Sequence, residues 1–491
     1  MSGEREPKRV PTGVAGLDEV LGGGLPGAGL YLLEGEAGSG KTTLSMHFLR
    51  WGAARGEPTL LVAFSETLDE LGAMAASHGW SLDGIAVMDL SDLRHAFGEE
   101  GQQGIFHPSD IEFARVIEQI LERARALRPT RVVIDSLSEL RHLTAEGSRY
   151  RLQIEALKPS LLEHRSTVLL CDGPMAGGSG FALHTLVHGV IGLDYQTPEF
   201  GPYRRRLRVR KLRNTRFQEG FHDFEIRKGG IILYPRLIAA EPNGAEAGEQ
   251  VATGIGGLDT ILAGGLDRGT STLLLGAAGS GKSSLATRIA LAALERGERA
   301  AIYLFDERMP VLVKRSASLG MDLRPHLESG RLTAFHINPL ELSPGKFSHL
   351  VREAVAQGVG TVVIDSLTGY VMSMGDEAGL MLQIRGLLTF LGARGVTTVL
   401  ISVQHGLLEP TERAAAQASY LADTVVLLRY YEFGGEVRRA ISAFKRRAGA
   451  HSGTIQDIEF GPAGLRIGPP LRQFQGVLTG VPTLQGTAKA P

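Results

Sequence analysis

The chain has 491 residues, too long for one typical domain, and 43% of them are apolar, enough to fill large cores. Its 52 Lys and Arg almost balance its 53 Asp and Glu, which excludes a bulk electrostatic pull toward nucleic acid or an anionic membrane. The single cysteine, Cys171, excludes an intrachain disulfide. The polar N-terminal stretch has no leader-like apolar core and no apolar run reaches spanning length, so the expectation is a cytoplasmic protein without a membrane partner.

In chain order, "LYLLEG" is a short apolar run that predicts a buried strand, and "GEAGSGKTTL" (Gly35–Leu44) follows it. Leu44, Phe48 and Trp51 then recur at helical spacing. "TLLVAF" predicts a second strand, and the Gly/Gln-rich "FGEEGQQGIFHPS" (Phe97–Ser109) a loop. "IEFARVIEQILERARAL" predicts an amphipathic helix with Phe113, Ile117, Ile120, Leu121 and Ala124 on one face. "RVVIDS" and "STVLLC" predict two more buried strands. "RRRLRVRKLR" (Arg204–Arg213) alternates like a strand with one basic face.

The pattern then begins again. "TGVAGLDEVLGGGLPGAGLYLLEGEAGSGKTTL" from Thr12 aligns without a gap with "TGIGGLDTILAGGLDRGTSTLLLGAAGSGKSSL" from Thr253, an offset of 241 (Lys282 minus Lys41). "VVIDSL" recurs at an offset of 230 (Asp365 minus Asp135), which puts extra residues in the first copy near Phe97–Ser109. "VRKLR" at Val209 answers "AFKRR" at Ala443. Three landmarks in order, at so long a period, indicate tandem domains rather than a solenoid. The expected bounds are a first domain over residues 1–238, a small-polar linker over 239–250, a second domain over 251–475 and a tail over 476–491 without periodicity. Strand–helix alternation with fully apolar strands predicts an α/β fold, a mostly parallel sheet with helices on both faces in each domain.

Each glycine-rich segment has the form G-x-x-x-x-G-K-[ST] between a strand and a helix, which is a P-loop. Glycines let the backbone wrap a phosphate closely, and the helix start offers free N–H groups and a positive dipole end. The first cradle is Gly35, Gly38, Ser39, Gly40, Lys41, Thr42 and Thr43, and the second Gly276, Gly279, Ser280, Gly281, Lys282, Ser283 and Ser284. Lys41 and Lys282 can reach the outer phosphates of a nucleotide, and Thr42 and Ser283 can offer hydroxyls to Mg²⁺. Asp135 and Asp365 end the "VVID" strands, expected beside the P-loop strand, where a magnesium shell needs a carboxylate. Glu66, Asp306 and Glu307 follow the second strands, where an acid can activate water. The same acids also read as helix N-terminal residues favoured by the dipole.

With the P-loops, the "VVIDS" strands, these acids and the "TGxxGLDxxLxGGL" lead-in in place, the sequence resembles the KaiC family of tandem RecA-like ATPases, which includes the cyanobacterial clock protein. The resemblance covers nearly the whole chain. It implies ATP and Mg²⁺ as cofactors and a hexameric ring with ATP at protomer interfaces. It also implies hydrolysis mainly in the first domain, and autokinase and autophosphatase activity in the second. The family's Glu–Glu pair is Ser65–Glu66 in the first domain, where Ser65 cannot be a base, and Asp306–Glu307 in the second. Glu66 and Glu307 are thereby the base candidates and Asp306 an assistant. The family's K-x-R interface motif falls on Lys211 and Arg213, and on Lys445 and Arg447, as cations for a neighbour's γ-phosphate. Ser419 occupies the first phosphoacceptor position and Tyr420, a bulkier phenol, the second; Thr424 lies nearby. "RQFQGVLTGVPT" matches the family's segment before its regulatory C-terminus, and the chain stops soon after, which argues against binding of KaiA.

Three functions follow from these residues. The first is a ring-forming ATPase and serine/threonine autokinase that signals or keeps time. The second is an ATP-switched scaffold read by an unidentified signalling protein, without a phosphoprotein. The third is a DNA-acting relative, disfavoured by the balanced charge and by the lack of aromatics within the basic strand.

Overall fold

The computed structural model describes residues 8–91, 108–142, 147–174, 183–197, 203–237, 249–338, 341–374, 377–403, 421–477 and 483–484. The chain divides into two compact units, Met1–Arg236 and Leu237–Pro491.

In the first unit, one sheet runs in the order Ile85–Asp89, Thr59–Ala63, Arg131–Asp135, Thr167–Asp172, Leu30–Gly35, Gly189–Gln196, Arg204–Leu212, His222–Arg227, Gly230–Tyr234. The first six strands are mutually parallel and the last three extend the sheet antiparallel. The second unit repeats this order with Leu332–His336, Arg299–Leu304, Val359–Asp365, Thr397–Val403, Ser271–Gly276, Thr424–Phe433, Glu436–Arg446, Gln456–Gly461 and Gly464–Pro470. The apolar runs read from the sequence are the parallel strands, buried on both faces as helices on either side demand.

Alternation along each strand sorts its residues between two cores. In the first unit, Tyr31 and Leu33 join the cluster with Phe48 and Leu49 of the helix Lys41–Ala53, while Leu30 and Leu32 join Ile120 and Leu157 on the other face. In the second, Leu274 packs with Leu285 and Ile289 of the helix Lys282–Glu295, and Leu273 with Tyr303 and Phe347. The amphipathic segment is the helix Pro108–Leu127, and its Ile117, Ile120 and Ala124 are buried.

Two expectations are corrected. The acid-ending strand is not beside the P-loop strand: Thr167–Asp172 lies between them in the first unit and Thr397–Val403 in the second. The P-loop helix bridges the gap because it starts over the intervening strand, where Ser45 Oγ lies 3.1 Å from Cys171 Sγ. The tail is not wholly without structure, since Thr483–Leu484 pairs antiparallel with Phe474–Gln475, and Val477 is buried against Tyr431 and Ala440.

One buried ion pair ties the second unit's lead-in to its last antiparallel strands. Arg446 donates Nη2 to Asp267 Oδ1 at 2.7 Å and Nε to Oδ2 at 3.1 Å, and its Nη1 serves the carbonyls of Leu262 and Ala450. Removing one partner leaves an uncompensated buried charge. Asp267→Ala is expected to destabilise this unit by about 3–5 kcal/mol, read as a lower urea midpoint of its transition. A shift below about 1 kcal/mol would show that the carbonyls alone hold the guanidinium.

Candidate nucleotide sites

Each P-loop turns on two glycines in the left-handed region, Gly38 and Gly40 at φ +76° and +104°, and Gly279 and Gly281 at +75° and +103°. A Cβ on Gly40 would also stand 2.8 Å from Ile226 Cδ1, so the turn requires glycine twice over. Helices then start at Lys41 and Lys282 with no side chain capping them and no acid in the first turn. Their leading N–H groups and positive dipole ends are thus left for an anion.

The lysines fold back over their loops. Lys41 Nζ donates to the carbonyls of Gly35 at 2.6 Å and Glu36 at 2.9 Å, and Lys282 Nζ to those of Gly276 at 2.8 Å and Ala277 at 2.7 Å. An ammonium group has three donors, so Lys41 keeps one for phosphate, while the third of Lys282 makes a long contact to Ser280 Oγ at 3.5 Å that a phosphate oxygen can replace. Burial pushes Lys282 down to about 8, opposed by the charge of Asp365.

Thr42 donates to Asp135 Oδ2 at 2.7 Å, and Ser283 hydrogen-bonds Asp365 in the same way. Both aspartates are buried, and desolvation raises both above the usual carboxylate range despite those hydroxyls. A divalent cation would offset that desolvation. Among the described residues no three His, Cys, Asp or Glu side chains are placed to hold a metal ion together. Magnesium would therefore be held by one hydroxyl, the carboxylate beside it, water and phosphate oxygens, the protein-poor shell this ion prefers. Asp135–Ser136 and Asp365–Ser366 are both cis peptides.

The catalytic candidates differ between the domains. Glu66 has one carboxylate oxygen, Oε2, buried without a protein partner. Burial, then the charge of Asp135, raise its pKa. An unpartnered buried acceptor beside a phosphate cradle fits an attacking water and a nucleotide. Glu307 instead sits in a two-point ion pair with Arg315, from Nε at 3.0 Å and Nη2 at 2.9 Å. Asp306 accepts from Ser366 Oγ at 2.5 Å and is thereby drawn to the start of the helix Leu367–Met374. Ser65 Oγ lies 3.5 Å from Glu139 Oε1.

The K-x-R cations are not brought to the P-loop of their own domain. Lys211 pairs across the sheet with Val190, which pairs with Leu32, three residues before Gly35. At about 3.3 Å per residue that is roughly 10 Å short of the loop. Lys211 Nζ turns to the carbonyls of His184 and Val187, and Arg213 to that of Thr185. Lys445 serves the carbonyl of Ala422, and Arg447 faces Asp423. Both motifs follow a bulge, at Arg210 and at Phe444, that shifts the strand's alternation and re-aims the residues after it. Ser419 and Tyr420 lie outside the described residues.

Sequence reasoning missed three features. Arg315 is one, although the 241 offset already set it against Met74. The second is an Arg–Tyr wall at each loop. Arg205 lies over Tyr195 and reaches Gly38 O at 3.5 Å, while Arg439 lies over Tyr430, whose hydroxyl donates to Ala278 O at 3.3 Å. The third is a buried Glu34 on the P-loop strand, held by His184 at 2.5 Å and Arg210 at 3.0 Å, where the second domain has Leu275. Its signal was a lone charge inside an apolar strand.

Two mostly parallel-sheet domains, each with a P-loop, a hydroxyl–aspartate couple and a nearby glutamate, define a tandem RecA-like P-loop nucleoside triphosphatase. The family model "ATPase: KaiC" matches residues 10–238 and again 251–472, and the chain belongs to that family of ATPases. It is 27% identical over 486 residues to the circadian clock oscillator protein KaiC of Thermostichus vulcanus, covering 97% of this chain and 92% of that one. It is 25% identical to the KaiC of Parasynechococcus marenigrum (98% and 94% covered) and 25% to the circadian clock protein KaiC3 of a Synechocystis strain (97% and 94%). No described helix is long and apolar enough to cross a membrane.

The second cradle carries its own pH signature. Lys282 is charged below about pH 8 and loses its proton as pH rises past it. In a chain whose first cradle is disabled by Lys41→Ala, ATP affinity is expected to fall between pH 7.5 and about pH 9. With Lys282→Arg, equilibrium binding should show a flat profile over that range.

Proposed function

We propose that this chain is a ring-forming, ATP- and magnesium-dependent ATPase in which each K-x-R pair serves the nucleotide of a neighbouring copy. The observation that carries it is the distance between those cations and the P-loop of their own domain. The Lys and Arg that recur in both domains, about 10 Å from the loop end of the sheet, have no phosphate to meet within their own domain. A head-to-tail neighbour supplies it, and six copies in the family's manner close the ring.

In each site the P-loop backbone and Lys41 or Lys282 bind and orient the triphosphate. Thr42 with Asp135, or Ser283 with Asp365, hold the magnesium, which neutralises charge on the phosphates when bound. Glu66 accepts a proton from, or aligns, the attacking water in the first domain, and Glu307 does so in the second. The neighbour's Lys211 and Arg213 (or Lys445 and Arg447) balance charge as the outer phosphate departs.

The second domain adds transfer to Ser419, making the protein a serine/threonine autokinase with a timing or signalling role like that named for its relatives. Tyr420 at the second acceptor position favours the alternative of an ATP-switched scaffold that carries no phosphate mark.

Incubation with γ-labelled ATP and Mg²⁺, followed by native mass and site mapping, tests both parts. The expected result is a hexamer carrying label that Ser419→Ala removes, and collapse to smaller species in Arg213→Ala. A monomer at saturating ATP would overturn the ring. Label at full level in Ser419→Ala would overturn the acceptor, and hexamers without label would leave the scaffold as the function.

A further inference from the structure

All three guanidinium nitrogens of Arg315 are committed. Nε and Nη2 take both carboxylate oxygens of Glu307, and Nη1 donates to Ser284 Oγ at 2.9 Å. Arg315 lies in the last turn of the helix Met309–Ser318, and Ser284 in the first turn of the P-loop helix. The guanidinium thus straps the base candidate to the cradle. Both ends of the pair are sheltered, at 23% and 19% exposure, which makes it stronger than a surface pair.

Among its described residues the first domain has no such strap. The helix Leu68–Ser77 is the equivalent of Met309–Ser318 at the 241 offset, and it places Met74 where Arg315 stands. Met74 packs against the apolar core and offers no donor, and Thr43 replaces Ser284. Glu66 keeps a buried oxygen with no protein partner.

We propose that Arg315 is a positioning residue that restrains the second site, holding Glu307 in a two-point clasp that must open before this glutamate can meet the attacking water. The proposal rests on reading Glu307 as the group that handles that water. The fork takes one lone pair on each oxygen, on the side from which a carboxylate accepts a proton most readily, and water must displace it to be met there. The rate then scales with the fraction of time the clasp is open. The restraint keeps ATP in the second site long enough for slower uses, while the unstrapped first site turns over.

The test uses the full chain carrying Glu66→Gln, so that hydrolysis reports the second site. Adding Arg315→Met, the residue the first domain uses, is expected to raise kcat roughly tenfold, for a clasp open about one time in ten, with KM unchanged. Arg315→Lys, which keeps the charge but not the fork, should fall between the two. An unchanged or lower kcat in Arg315→Met, with thermal unfolding like that of the parent, overturns the restraint. A rise in kcat that persists after adding Glu307→Gln shows instead that Glu307 does not handle the water. Should Arg315→Met fail to fold, the reciprocal Met74→Arg in a Glu307→Gln chain should slow first-site hydrolysis by a similar factor; no slowing overturns the proposal.

Discussion

The bond from the first hydroxyl of the P-loop helix to the aspartate ending a strand two places away holds each site together. Thr42 to Asp135, at 2.7 Å, and Ser283 to Asp365 link the phosphate cradle to the far side of an intervening strand. Burial makes both aspartates costly to ionise, a cost that a divalent cation seated beside each would offset. The geometry needs the helix to start over the intervening strand, and hence the parallel sheet with apolar faces above and below. Core packing, loop glycines and site chemistry are therefore one constraint.

The two domains share this seat and differ around it. The first leaves a glutamate oxygen buried and unbonded, and places the Glu34, His184 and Arg210 network on the other face of its P-loop strand. The second fills that face with Leu275 and ties its glutamate to Arg315. In sequence, His184 stands five residues before Gly189, the strand partner of Tyr31, and Ser419 stands five before Thr424, the strand partner of Thr272. The halves thus diverge where a nucleotide's outer phosphate would be handled, and not where it is gripped.

Much of this was legible in the sequence because it depends on local pattern. "LYLLEG" and "STLLLG" are strands because six buried residues in a row suit a parallel sheet, and the P-loop spacing fixes Lys41, Thr42, Lys282 and Ser283. Strand order was not legible: nothing in "VVIDS" reveals that "STVLLC" inserts before it, since order is set by crossover connections. Arg315 was hidden because its partner Glu307 lies eight residues upstream, before the start of a helix whose orientation the sequence leaves open. The distance of Lys211 from its own cradle follows from antiparallel register and a bulge, neither of which composition encodes.

The central claim is that one chain carries two KaiC-type sites, of which the first turns over and the second is held back. Steady-state ATP hydrolysis by two single variants, Glu66→Gln and Glu307→Gln, addresses it most directly. Glu66→Gln should remove most of the turnover, and Glu307→Gln should leave most of it. Equal losses, or the larger loss in Glu307→Gln, would contradict the account.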